Sequence, residues 1–187
     1  PEAYGGQGAD FLYSAILIEE MARVGATGPT FYLHSDIVAP YIVDFGTEAQ
    51  KTKWLPKMAV GEVVVALGMS EPSGGSDVQN IRTQAIRDGD EYVINGQKVF
   101  TTNGHSADLV LLACKTDPTQ KAKGVSLILV ETDRAGFTRG RKLEKIGCKA
   151  QDTSELFFSD LRVPVSNLLG TEGGGFGILM TQLAQER

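Results

Sequence analysis

The chain has 187 residues with a formal net charge of −5, 42% hydrophobic and 22% charged residues. That length and composition exclude a disordered chain and allow a sizeable core without disulfide staples. The acidic balance argues against nucleic acid as a partner, because phosphate binding needs a basic stripe. Glycine is in excess: 22 residues, about 12% against a usual ~7%. Without a collagen-type period, that surplus implies many turns or close backbone approaches to a ligand.

The first third reads as helical. Residues 10–24 carry apolar side chains near a 3.6 period, with Asp10 as N-cap and Gly25 as stop. A second helical stretch follows Pro29, where Pro40 is expected to bend it or end its first part. Thr47 caps a third helix from Glu48 to about Met58. After Gly61 the texture becomes that of strands: residues 63–67, 83–87, 91–95, 109–114, 125–130 and 153–158. Asn95-Gly96 between alternating runs is expected to turn a hairpin. Turn residues recur every 8 to 14 positions, and no helical crossovers separate the strands, so an antiparallel β-barrel or sandwich is expected rather than parallel α/β. Residues from Phe176 onward return to helix. The fold class is therefore α+β, with helical segments on both sides of a β domain. The expected boundaries are 1–62, 63–172 and 173–187.

Cys114 and Cys148 have no metal-ligand spacing and read as two lone, buried thiols in a reducing compartment, so no metal site is expected. No signal peptide or membrane-spanning run is visible. The chain starts at Pro1 without Met and stops inside a helix, which reads as the interior of a longer protein. Gly104-His105-Ser106 lacks the elbow of a serine hydrolase, and His34 in an apolar stretch reads as a core residue. Glu19-Glu20 reads as the solvated side of a helix, and Arg139, Arg141, Lys142, Lys145 and Lys149 as a solvated basic run or a weak anion site.

Two segments carry more. The run Met69-Ser70-Glu71-Pro72-Ser73-Gly74-Gly75-Ser76-Asp77 follows a strand directly and is either a phosphate cradle or a tight turn with a local cap. Phe100-Thr101-Thr102, at a strand end, either faces a flat heteroaromatic ligand or packs as ordinary strand.

Taken together, Glu71-Pro72, Gly75-Ser76-Asp77, Asn95-Gly96-x-Lys98 and Thr102-Asn103-Gly104, in this order and spacing, resemble the acyl-CoA dehydrogenase family. The resemblance covers the whole chain. Residues 147–158, with Leu161-Arg162-Val163-Pro164, look like its long-chain branch. It implies a helical domain, a β-barrel-like middle domain and a helical bundle, of which the chain would hold the end of the first, all of the second and the start of the third. It implies FAD as cofactor. Leu67, Met69, Ser70, Gly75 and Ser76 would line flavin and pyrophosphate, and Phe100, Thr101 and Thr102 would form a second flavin-contacting run, with Thr102 near N5. Ser70 stands where the family usually has Thr, Phe100 where many members have Trp, and Ser73-Gly74-Gly75 where Gly-Ala-Gly is usual. Ser76 and Lys123 would touch the acyl-CoA substrate.

The implied reaction is α,β-dehydrogenation of an acyl-CoA thioester, with a glutamate base that is no residue of this chain. The expected partners are the substrate, an electron-transfer flavoprotein and further copies in a homotetramer. The expected compartment is the bacterial cytoplasm or the mitochondrial matrix. An acyl-CoA oxidase and a non-catalytic flavin- or CoA-binding module are the competing readings.

Overall fold

The computed structural model describes residues 1–186. Helix α1 spans Phe11–Arg23, and the Asp10 carboxylate accepts from the Leu12 amide at 2.9 Å to cap it. A π-helical turn at Leu33–Val38 leads into α2, Ala39–Phe45, with Pro40 in its first turn, where a missing N–H costs nothing. Helix α3, Glu48–Ala59, opens with a reciprocal capping box: the Gln50 amide donates to Thr47 Oγ1 at 3.2 Å, and the Thr47 amide donates to Gln50 Oε1 at 2.9 Å.

Eight strands follow among the described residues: β1 Val65–Gly68, β2 Gln84–Asp88, β3 Glu91–Thr102, β4 Leu109–Lys115, β5 Val125–Glu131, β6 Phe137–Lys142, β7 Thr153–Pro164 and β8 Leu168–Leu169. Helix α4, Gly175–Glu186, closes the described chain. The strands form one sheet in the order β6-β7-β3-β2-β4-β5-β8, with β1 added against β4. The α+β architecture agrees with expectation. Most pairings are antiparallel, but β1 runs parallel to β4 and β2 meets β4 in one parallel pairing, Gln84 with Lys115. The sheet is thus mixed.

Two cores share its central strands. Leu109, Leu111 and Ala113 face the helices with Val65, Leu127, Tyr41, Ile42, Trp54 and Leu55. Val110, Leu112 and Cys114 face the other core with Ile94, Ile128, Leu156 and Val163. Alternation along a strand that is buried on both faces produces the unbroken apolar runs seen in the sequence.

Several expectations are corrected. Asn95-Gly96 is not a hairpin turn; β3 runs straight through it, and the hairpin lies at Asp88-Gly89-Asp90, where Gly89 has φ +63°. The Asn95 side chain instead clamps an irregularity in β7, donating to Asp160 Oδ1 at 3.1 Å and accepting from the Asp160 amide at 2.9 Å. Gly96 is required because a Cβ there would lie 2.7 Å from Thr83 Cα. The basic residues 139–142 are little buried, as a solvated run would be, but they form an edge strand, β6, that was not expected. Cys114 is buried, as expected, but Cys148 is exposed. Helix α1 buries none of its residues, so the apolar face of Phe11, Leu12 and Ile16 lies open.

Charged groups tie the layers at the end of β5. Glu131 accepts from Lys53 on α3 at 2.9 Å, from Arg134 at 2.7 Å and from Asn167, just before β8, at 2.9 Å. Burial pushes its carboxyl up, and Arg134 and Lys53 outweigh it, bringing the pKa down to about 2. The folded pKa lies below the ordinary 4.5, so this stability is complete above about pH 4.5 and is lost as pH falls toward 2. Glu131→Gln therefore lowers the unfolding free energy by about 2 kcal/mol at neutral pH. Urea unfolding at pH 7 and pH 3 checks this: the gap between the two proteins narrows at pH 3.

Candidate functional site

The ends of β1 and β3 come together beside the π-helical turn. The Val99 amide donates to Ser70 O at 3.0 Å, which joins the two strand ends. Leu67, Met69 and Ser70 from the β1 side, Val99, Phe100 and Thr102 from β3, and Leu33 and Ile37 from the π turn line an open cleft of about 170 Å³. Six of its lining residues have apolar side chains and two, Ser70 and Thr102, carry hydroxyls, with polar and apolar atoms sharing the lining about equally. A β3 residue is extra relative to β7 between Lys98 and Thr101, and Phe100 sits at φ +56° with 70% of its surface exposed. That left-handed conformation is unfavourable for a ring-bearing residue and turns the aromatic outward at the cleft mouth.

The strand end is held from three directions. Asn103 accepts from the Thr30 hydroxyl at 2.6 Å and donates to Val65 O at 3.3 Å, so it links the helical layer, β1 and β3. Thr101 is buried against Ser154, its register partner on β7, and neither hydroxyl has a hydrogen-bond partner. Thr101 therefore lies beside the cleft rather than in its lining.

The loop after Ser70 is a tight turn. Glu71 and Gly74 exchange two backbone hydrogen bonds, at 3.1 and 3.0 Å. Gly75 and Ser76 follow on an exposed stretch, and Asp77, just before the short turn Val78–Asn80, accepts from the Asn80 side chain. That turn packs against Ala122–Gly124, which carries the exposed Lys123. Ser76 and Lys123 therefore lie on adjoining loops. Lys115 supports the second loop from beneath, donating to Gln120 O at 2.6 Å and to Lys121 O.

Five of the residues singled out for a flavin thus share one cleft: Leu67, Met69, Ser70, Phe100 and Thr102. Gly75 stands next to it, where a Cβ would lie 3.7 Å from Ser70 Oγ, and Ser76 and Lys123 lie on loops outside the lining. Leu33, Ile37 and Val99 were not foreseen, because apolar residues in a helical or strand pattern look like ordinary core. A larger cleft of about 310 Å³ lies on the far side of the π turn, between Tyr4, His34, Pro40, Leu55 and Met58, and holds none of these residues. His34 there is half-buried with Nε2 3.1 Å from Met58 O, in keeping with a structural role. Among the described residues no cluster of metal-ligating side chains occurs, and no helix is long and apolar enough to cross a membrane.

Comparison with known proteins gives the class. A family model described as the acyl-CoA dehydrogenase N-terminal domain matches residues 1–62, and one for the middle domain matches residues 66–161. The chain belongs to the acyl-CoA dehydrogenase family, whose members are FAD-dependent oxidoreductases. It is 50% identical, over its whole length, to the mitochondrial long-chain specific acyl-CoA dehydrogenase of Mus musculus, of which it covers 44%. It is 57% identical to an acyl-CoA dehydrogenase from Geobacillus kaustophilus, matching its crystal structure at a TM-score of 0.96 over all of this chain and 50% of that one. A chain in a structure described as the electron transferring flavoprotein of Acidaminococcus fermentans is 41% identical, with a TM-score of 0.94 over 98% of this chain and 48% of that one. The chain thus spans about half the length of the relatives it matches.

The residues present fit a flavin. An open cleft that mixes apolar side chains with polar groups, two hydroxyls among its side chains, suits one side of a flat heteroaromatic ring, and the exposed Gly75 and Ser76 suit a phosphate. Phe100→Gly relieves the left-handed strain and changes stability by no more than about 1 kcal/mol, while FAD affinity falls several-fold. Thermal unfolding and flavin fluorescence titration of the same samples check both halves.

Proposed function

We propose that the chain forms the flavin-binding wall of an FAD-dependent dehydrogenase that oxidises a long-chain acyl-CoA thioester between its α- and β-carbons. The observation that carries this reading is the convergence of Leu67, Met69, Ser70, Phe100 and Thr102 on one cleft. The 50% identity to a long-chain specific relative supports the substrate class.

The bound flavin supplies a hydride acceptor. Leu67 and Met69 offer apolar surface to the ring plane and exclude water from it. The hydroxyls of Ser70 and Thr102 would donate to ring heteroatoms and so help to orient the ring. Ser76 and the neighbouring backbone amides hold the pyrophosphate, and the Lys123 ammonium meets a CoA phosphate. Among the described residues no carboxylate lines the cleft. The proposed base for the α-proton is a glutamate that is no residue of this chain.

An electron-transfer flavoprotein is the proposed acceptor, and the similarity to a chain from such a flavoprotein structure supports it. The proposed assembly is a homotetramer. The proposed compartment is the mitochondrial matrix of a eukaryote or the cytoplasm of a bacterium.

Anaerobic titration of the complete natural polypeptide, loaded with FAD, tests the reading. Palmitoyl-CoA bleaches the flavin band, and butyryl-CoA bleaches it at least ten times more slowly. The 187-residue chain alone gives no bleaching. Absence of bleaching with every acyl-CoA overturns dehydrogenation, and stoichiometric peroxide release in air assigns the protein to the oxidases.

A further inference from the structure

A lysine with no exposed side-chain surface sits directly behind the cleft. Lys98 Nζ donates to Glu71 Oε1 at 2.8 Å and to Met69 O at 3.0 Å. Glu71 has 3% side-chain exposure and takes three further donors: the Thr83 amide at 3.0 Å on Oε1, and the Arg82 amide at 2.6 Å and the Ser73 hydroxyl at 3.3 Å on Oε2. Burial pushes the Glu71 carboxyl up, and Lys98 with the two amides outweighs it, so the carboxyl stays ionised at neutral pH. Burial pushes Lys98 down, opposed by Glu71.

The positions of the two residues matter more than their charges. Glu71 follows Met69 and Ser70 on one wall of the cleft, and Lys98 precedes Val99 and Phe100 on the other. The Lys98–Met69 bond crosses from β3 to the segment after β1, parallel in effect to the Val99–Ser70 backbone bond. The Glu71 bonds to Arg82 and Thr83 close the base of the loop whose far side carries Gly75 and Ser76. Buried ion pairs add little net stability against well-packed apolar residues of similar volume, because desolvation offsets the attraction. Such a pair, with the ammonium tied to the cleft wall at Met69 O and the carboxylate to the loop end at the Arg82 and Thr83 amides, has the form of a spacer that sets geometry.

We propose that Lys98 and Glu71 form a buried clasp that fixes the width of the cleft and the base of the Glu71–Thr83 loop, and so pre-positions both for FAD. The clasp rests on the flavin reading above and adds a role for two residues that do not line the cleft. They are positioning residues: Lys98 acts through the backbone of Met69, and Glu71 through that of Arg82 and Thr83. Pre-set donors and walls raise affinity because the bound ligand need not pay for ordering them.

The test uses the complete natural polypeptide stripped of FAD. The double variant Lys98→Met with Glu71→Gln removes both charges and keeps one carbonyl acceptor for the loop amides. It is expected to melt within a few degrees of the unsubstituted protein, to bind FAD at least tenfold more weakly, and to lose the fine structure of the bound-flavin absorption band. The variant Leu161→Ala, in the far core, lowers the melting temperature but binds FAD normally. A folded double variant with FAD affinity within twofold of the parent overturns the clasp.

Hydrogen exchange on the unsubstituted apoprotein decides independently of whether the variant folds. The amides of Arg82, Thr83 and Val99 are expected to be protected before FAD is added, while those of Gly75 and Ser76 become protected only with it. Equal, fast exchange at all five until FAD binds overturns the proposal. Failure of the unsubstituted protein to bind FAD overturns the flavin reading, and the exchange pattern then still reports whether the clasp holds the loop.

Discussion

Strand β4 is buried from Leu109 to Lys115 and its partner β5 from Val125 to Val130, and the rest of the molecule is arranged around that fact. A strand covered on both faces needs a layer on each side. On one side the layer is α2, α3, α4 and the π turn; on the other it is the remainder of the sheet, curling back through β3 and β7. Strand β1 can then join only at the side of β4, where its parallel register places Gly68 beside Leu112. A Cβ at Gly68 would come within 3.3 Å of side-chain atoms of Val110 and Leu112. The glycine lets the chain leave β1 tight against the sheet, and Met69 and Ser70 emerge at the rim where β3 ends. The cleft is thus a consequence of how the double-sided strand recruits its neighbours.

The strands that meet both cores were legible because their burial leaves unbroken apolar runs, as in residues 109–114 and 125–130. The helix starts at Asp10 and Thr47 were legible because a capping side chain is a local signal, and both caps are formed. Asn95-Gly96 misled because a tight turn and a clamp across a bulge favour the same residues. Only the pairing partner, Asp160, distinguishes them, and it lies 65 positions away. Strand β6 left no periodic trace, since an edge strand exposed on both faces can be as polar as a loop. The apolar pattern of α1 was read correctly as helix, but periodicity says which face is apolar and not whether anything in the chain covers it. At the site, Ser70 and Thr102 lay in the two segments the residues themselves singled out and took their flavin role from the family resemblance, while Leu33 and Ile37 came only from the fold. Lys98 had a usable signal: it falls two residues after Gly96 and four after Ile94, on the inward register of β3, where a charge demands a partner.

A common device emerges among the loops around the sheet. Lys98 donates to Met69 O, Lys115 to Gln120 O and Lys121 O, and Lys145 to Gln151 O at 2.7 Å and to the Thr153 hydroxyl at 2.9 Å. Each ammonium satisfies carbonyls of a segment that has left the ladder and has no strand partner for them. A lysine suits the task because its long stem reaches past the strand, and its three donors serve backbone oxygens that face different ways. The burial differs in a telling order. Lys98 is sealed and carries a carboxylate partner, whereas Lys115 is little exposed and Lys145 half-buried, each tied mainly to neutral oxygens. The sealed one stands behind the cleft and the other two beneath surface loops. A carboxylate is needed only where water is excluded, because there an ammonium with carbonyl partners alone would be driven to lose its proton. The placement of Glu71 therefore follows from the depth of Lys98, and the depth of Lys98 follows from the requirement that one donor reach the inner wall of the cleft at Met69.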